Sequence, residues 1–157
     1  MSHKAVRQFI ETTAKSLADN VKFGYGRSSD FNKIKDKKYP YIWMDPLNSS
    51  FEIGEDAINF TERYSVSLVF YRFDDPDSTE DQYKLILDET DKLVQTFVRK
   101  IHENLENAYH LTDIIRTDNT VVENITKQPV IKVMADVLTG WIVTFELIVP
   151  DNFDYCP

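Results

Sequence analysis

The stretch "GWIVTFELIV", Gly140 to Val149, alternates side chains with a period of two and reads as a strand. Trp141, Val143, Phe145, Leu147 and Val149 make one wholly apolar face. Burying those five side chains contributes roughly 8 to 15 kcal/mol gross, before the entropy cost of ordering the segment. The other face carries Ile142, Thr144, Glu146 and Ile148, which is more apolar than a face that meets only water needs to be. Pro150 then stops the run, and the tail "DNFDYCP" adds Phe153, Tyr155 and the single cysteine, Cys156.

Working outward, a second long alternation covers residues 59–73. Tyr64, Val66, Leu68 and Phe70 share one face, and Ser65, Ser67, Val69, Tyr71 and Phe73 share the other. Between the two strands a helical stripe runs through Tyr83, Ile86, Leu87, Leu93, Val94, Phe97, Val98, Ile101 and Leu105. Lys84, Asp88, Asp91, Lys92, Gln95 and Arg99 lie opposite it. The stripe is wider than a coiled-coil seam, so the helix is expected to lie across a sheet. It is preceded by "DDPDSTED", Asp74 to Asp81, in which Asp77 or Ser78 can cap the first free N–H groups. The acids there also favour the positive end of the helix dipole.

Nearer the start, Ser2 caps a predicted helix whose apolar positions are Val6, Phe9, Ile10, Thr13 and Leu17, ending at Asp19-Asn20. Val21 to Tyr25 and Tyr39 to Asp45 read as extended, with a turn at Asn48 to Ser50 and a short segment at Phe51 to Ile53. Residues 24–38 lack a period and read as a mobile basic loop. After the long helix, Leu111 to Thr117, Val121 to Lys127, Val130 to Leu138 and Gly140 to Val149 read as a β-meander. Its turns are placed at Asp118-Asn119 and Leu138-Thr139-Gly140. The order of helix, strands, long helix, strands predicts an α+β fold, with helices on one face of a mainly antiparallel sheet. Residues 1–157 read as one domain with the loop at about 24–38 and a C-terminal tail at 150–157.

Composition narrows the function classes. The chain has 157 residues, 42% of them hydrophobic and 28% charged, enough for one core and unlike a disordered chain. A net charge of -8 argues against free-standing, sequence-independent DNA binding, which needs a positive surface. One cysteine makes no internal disulfide, in keeping with a reducing compartment. The first residues show no signal peptide pattern, and no apolar run reaches the roughly 18 residues of a membrane span. The three glycosylation sequons, at Asn48, Asn59 and Asn124, are assigned no role without a secretion signal.

Chemistry-bearing patterns are sparse. His102 and His110 are not at the i, i+4 spacing of a helical metal pair, and no cysteine joins them. Asp74, Asp75, Asp77, Glu80 and Asp81 lack the glycine and terminal glutamate of a calcium loop, and helix capping explains them. Gly24-Tyr25-Gly26 falls short of a phosphate-cradling loop. No serine or cysteine has the setting of a nucleophile. The reading is a non-enzyme without cofactor or metal.

Two features remain as candidate contacts. Lys33, Lys35, Lys37 and Lys38, with Arg27 upstream, concentrate five of the 18 basic residues in an acidic chain. They read either as a solvated loop or as an electrostatic contact with an acidic neighbour or with nucleic acid. Phe153 and Tyr155 read either as a fold-back onto the chain's own sheet or as a strap inserted into a neighbouring subunit.

The small acidic α+β organisation, with the long helix entered through "DDPDSTED", resembles the tail-terminator, tail-completion and neck-ring proteins of tailed bacteriophages. The ending "GWIVTFELIVPDNFDYC" is similar to the ends of small virion proteins from Bacteroidetes phages, including the crAss-like group. That resemblance implies a structural protein made in the host cytoplasm and built into the virion at the head–tail junction. It implies a homo-oligomeric ring, six- or twelve-fold, stacked against portal, neck or tail-tube proteins, with genomic DNA passing through without specific binding. It carries no catalytic residues and no membrane contact. The second reading is an adaptor or binding module outside any virion, and the third a small enzyme with a site of unfamiliar form.

Overall fold

The computed structural model describes residues 3–31, 40–53, 60–110, 121–133 and 137–150. In chain order these form α1 (His3–Lys15), β1 (Lys22–Tyr25), α2 (Ser28–Phe31), β2 (Tyr41–Met44), β3 (Asn48–Ile53), β4 (Phe60–Phe73), α3 (Glu80–His110), β5 (Val121–Val133) and β6 (Leu138–Pro150). The fold is α+β. A six-stranded sheet runs β1-β2-β4-β6-β5, and β3 pairs with the first half of β4 on the side that β2 occupies further along. Every pairing is antiparallel except that of β1 with β2.

The two long strands make the centre of the sheet. β4 and β6 pair from Thr61–Pro150 to Phe73–Leu138, which places Tyr64 opposite Leu147, Val66 opposite Phe145 and Leu68 opposite Val143. Both major helices lie on this apolar face. Val6, Phe9, Ile10 and Ala14 of α1 and Val94, Phe97, Ile101 and Leu105 of α3 join the strands' inward residues in one buried cluster. The Phe97 ring meets Phe70 edge-on at 5.4 Å and lies 6.2 Å from Phe145. Asn104 Nδ2 donates to Thr13 Oγ1 at 2.9 Å, and Thr13 donates in turn to Phe9 O at 2.9 Å, so the two helices are tied where they touch.

The opposite face has a smaller cluster of Trp43, Tyr71 and Leu138, flanked by Tyr41, Val69 and Phe73. Tyr41 stacks on Tyr71 with centroids 5.6 Å apart. Trp43 lies over Gly24, where an added Cβ would come within 2.6 Å of its ring, and its Nε1 donates to Gly26 O at 3.1 Å. Tyr71 and Phe73, read from alternation alone as a mixed face, therefore have a packed environment of their own.

Several boundaries differ from expectation. Asn48 to Ser50, read as a turn, belongs to β3 because β4 pairs with it residue for residue from Asn48–Ser65 to Ile53–Phe60. The break expected between Val121–Lys127 and Val130–Leu138 is absent, because β5 runs through it from Val121 to Val133 with Pro129 paired to Trp141, and Leu138 belongs to β6 instead. β5 is an edge strand, where a missing N–H costs least. Leu138, Thr139 and Gly140 are not a turn but the start of β6. Gly140 is needed there because a Cβ would overlap the Phe70 carbonyl oxygen of the neighbouring strand. α3 starts at Glu80, so Thr79 takes the cap position in place of Asp77 or Ser78, and Gln82 Oε1 accepts the Thr79 N–H at 2.8 Å. The first helix ends at Lys15, earlier than Asp19. In the stretch read as a mobile loop, Gly24 and Tyr25 close β1, and residues 28–31 form the short α2. The segment 111–117 and the turn at 118–119 lie outside the described residues.

Candidate interaction surface

The sequence-derived contact residues fall on two segments. Lys33, Lys35, Lys37 and Lys38, and likewise Phe153 and Tyr155, lie outside the described residues. What the structure places are the points from which those segments depart. The basic segment leaves after α2 and returns at Pro40, whose carbonyl accepts the Lys22 N–H at 3.0 Å, at the β1–β2 side of the sheet. The tail leaves from Pro150, which pairs with Thr61 beside the β3–β4 hairpin.

That hairpin is held by charge on its outer face. Arg63 on β4 meets Glu52 of β3 at 2.8 Å, Glu146 of β6 at 2.7 Å and Glu123 of β5 at 3.5 Å. One guanidinium thus serves three carboxylates on three strands. Hydrogen bonds to Glu52 and then Glu146 hold the Arg63 proton more firmly than usual. The Glu146 carboxyl is held below the usual range, first by the hydrogen bond from Asn124 and then by Arg63. Asn124 reaches it at 2.7 Å from a bulge where its own φ is 53°, a conformation asparagine tolerates.

On the helix-side face of the same hairpin sits the buried carboxylate of Glu62, 5% exposed. Tyr64 Oη donates to it at 2.5 Å. Burial, then this bond, pushes the Tyr64 phenol well above its ordinary range. His3, at the start of α1, packs edge-on against Tyr64 at 5.4 Å and places Nε2 3.3 Å from Ser49 Oγ. Phe51 and Ile53 follow Ser49 on the same face of β3 and are 70% and 64% exposed.

At the other flank of the sheet, β5 is fastened to α3. Lys127 Nζ meets Asp91 at 2.5 Å and lies 4.7 Å from the centre of the Trp141 ring, whose Nε1 donates to Leu87 O at 3.0 Å. Lys132, in a second bulge with φ 51°, reaches the carbonyls of Ser78 at 2.7 Å and Pro76 at 3.2 Å. Buried Thr139 donates to Asp74 at 2.8 Å and accepts the Lys132 N–H at 3.2 Å. Between these ties a groove of about 370 Å³ remains, lined by Val94, Gln95, Val98, Ile125, Thr126, Lys127 and Val143.

Among the described residues no group of three or more histidine, cysteine, aspartate or glutamate side chains converges as a metal site requires. No helix among them is long and apolar enough to cross a membrane. His102 is exposed on α3. Sequence reasoning placed the Phe51–Ile53 half of β3 but missed its first half, the Arg63 hub and the groove. The alternation Ser49, Phe51, Ile53 against Ser50 and Glu52 was the available signal for β3. Compared with known protein families and with curated protein sequences, the chain gives no match.

Proposed function

We propose that this chain is a structural subunit of a tailed-phage virion, closing with copies of itself into a six- or twelve-fold ring at the head–tail junction. DNA passes through the ring, and portal, neck or tail-tube proteins stack above and below it. The observation that carries this reading is that, among the described residues, no strand pairs with β3 on the side away from β4. Phe51 and Ile53 stand exposed on a regular strand that has no proline, lysine or bulge, a hazard for a lone monomer and a resource for a subunit. The net charge of -8 also supports it, because an acidic channel wall repels DNA and lets it move. The likeness of residues 140–156 to the ends of phage virion proteins supplies the class. Lys33, Lys35, Lys37 and Lys38, with Phe153 and Tyr155, are the contacts proposed toward neighbouring subunits or rings.

The test is electron microscopy of the full-length chain, alone and mixed with tail tubes or portal complexes. Closed rings of uniform diameter are expected. A species that stays monomeric in all three samples, or that forms only a 1:1 complex with a cytosolic protein, contradicts the reading and favours an adaptor.

A further inference from the structure

We propose that the acidic tail of one copy, residues 151–157, docks along the free edge of β1 in the next copy, against Arg7 and Lys22. The contact deepens the ring reading by giving the tail a place, and rests on that reading only for closure. Charge is segregated along the chain. Residues 1–39 hold nine of the 18 basic residues and four of the 26 acidic ones, a balance of +5 in a chain of -8. α1, β1 and α2 carry the described part of that excess, and β1 ends the sheet. Among the described residues Lys4, Arg7 and Arg27 have no carboxylate partner. Glu11 is already held by Lys15, and Asp30 accepts the Arg27 N–H. Arg7 Cζ lies 5.2 Å from the centre of the Tyr25 ring, and among the described residues its buried Nε meets no acceptor. A buried donor left without a partner is costly, so an incoming acceptor is favoured there. The β1 backbone is open as well. The N–H groups of Lys22 and Gly26 bond to Pro40 and Met44. Those of Phe23 and Tyr25 therefore turn to the edge where no strand lies among the described residues.

The tail matches this surface in charge and spacing. It holds two aspartates and no basic residue. As an added strand it would set Asp151, Phe153 and Tyr155 on one face, beside Phe23, Tyr25 and Arg7. Asp154 would fall on the other face, beside Lys22. Reach excludes the chain's own tail. Tyr25 aligns through Met44 and Leu68 with Val143 of β6, three strand spacings or about 14 Å across the sheet. Pro150 ends β6 seven residues beyond Val143, about 23 Å along the strand and hence about 27 Å from Tyr25. Tyr155, five residues past Pro150, spans at most about 18 Å. A second copy is under no such limit. Donor and acceptor are different patches, so the contact is heterologous and repeats from copy to copy, closing if its rotation allows. One short strap is weak by itself. In a ring every copy gives one and receives one, and the links support each other.

The experiment places the photo-crosslinking residue p-benzoylphenylalanine at position 155 of the full-length chain, mixed in equal parts with an isotopically labelled wild type. Cross-links from light to heavy copies that map to residues 4–7 or 22–27 are expected. Arg7→Glu with Lys22→Glu in the heavy copy should cut their yield about tenfold. Asp151→Lys with Asp154→Lys in the light copy should then restore it, which a merely misfolded acceptor could not do. Cross-links confined to the same copy, cross-links to any other segment, or none at the highest soluble concentration would overturn the contact. So would a yield that the charge reversal leaves unchanged or the swapped pair fails to restore. Solution mass measured on the same samples separates the two proposals. Cross-links to the β1 flank with only dimers or open chains keep the contact and sink the ring. Closed rings with cross-links elsewhere keep the ring and sink the contact.

Discussion

The two antiparallel hairpins that flank the sheet differ in how their outer strands meet solvent. β5, at one edge, carries two bulges and Pro129, and sends Lys127 and Lys132 to α3 and its entry loop. Such an edge offers few aligned backbone groups to an incoming strand. β3, on the other flank, pairs in unbroken register with β4 and has none of those devices. All six of its residues are exposed. One flank is finished as a surface, and on the other Phe51 and Ile53 stand exposed. In the proposed ring, that asymmetry would give each subunit a distinct head and tail.

Substitutions can break or sharpen this contrast. The largest effect is expected on the finished flank, from Gly140→Ala. The added methyl overlaps the Phe70 carbonyl, so the β4–β6 register must shift, with a loss of about 4 kcal/mol or more in denaturant unfolding. On the open flank, Tyr64→Phe strands the buried Glu62 carboxylate without its hydroxyl donor and should cost about 1–3 kcal/mol. Lys132→Met removes a side chain whose ammonium reaches two carbonyls near the start of α3. A loss of about 0.5–1.5 kcal/mol in the same assay, without change in oligomeric mass, is the expected outcome.

A smaller effect is expected with acid. The Glu146 pKa is lower folded than unfolded, so its contribution is present above the unfolded carboxylate range and is lost as pH falls through the folded value. Melting temperature followed from pH 6 downward should therefore fall less steeply in Glu146→Gln than in wild type, and an identical slope would remove Glu146 from the acid response. The smallest effect on monomer stability is expected from Phe51→Ser with Ile53→Ser, within about 0.5 kcal/mol, because both side chains are already in water. The same pair should abolish assembly, whereas Ile131→Ser on β5 should leave it intact.

What was legible in the sequence follows from where tertiary context entered. β4, β6 and α3 were readable because long uninterrupted periods leave one face that must be buried. β3 was not, because Asn48, Ser49 and Ser50 carry turn chemistry and become a strand only through pairing with β4. Gly140 reads as a turn glycine, yet the close approach of the Phe70 backbone is what requires it. The exposure of Phe51 and Ile53 could not be read from alternation. A strand of the form Ser-Phe-Glu-Ile looks half-buried, yet all six residues of β3 are exposed. The lysine segment and the aromatic tail were singled out by composition, and their departure points flank the β1–β2 side and the β3–β4 hairpin.

The most direct test of the central claim is the mass of the full-length chain by native mass spectrometry, alone and after mixing with tail tubes. A closed species of six or twelve copies, lost in the variant carrying Phe51→Ser and Ile53→Ser, is the expected result. A monomer in both samples, or an oligomer whose mass is unchanged in that variant, would contradict it.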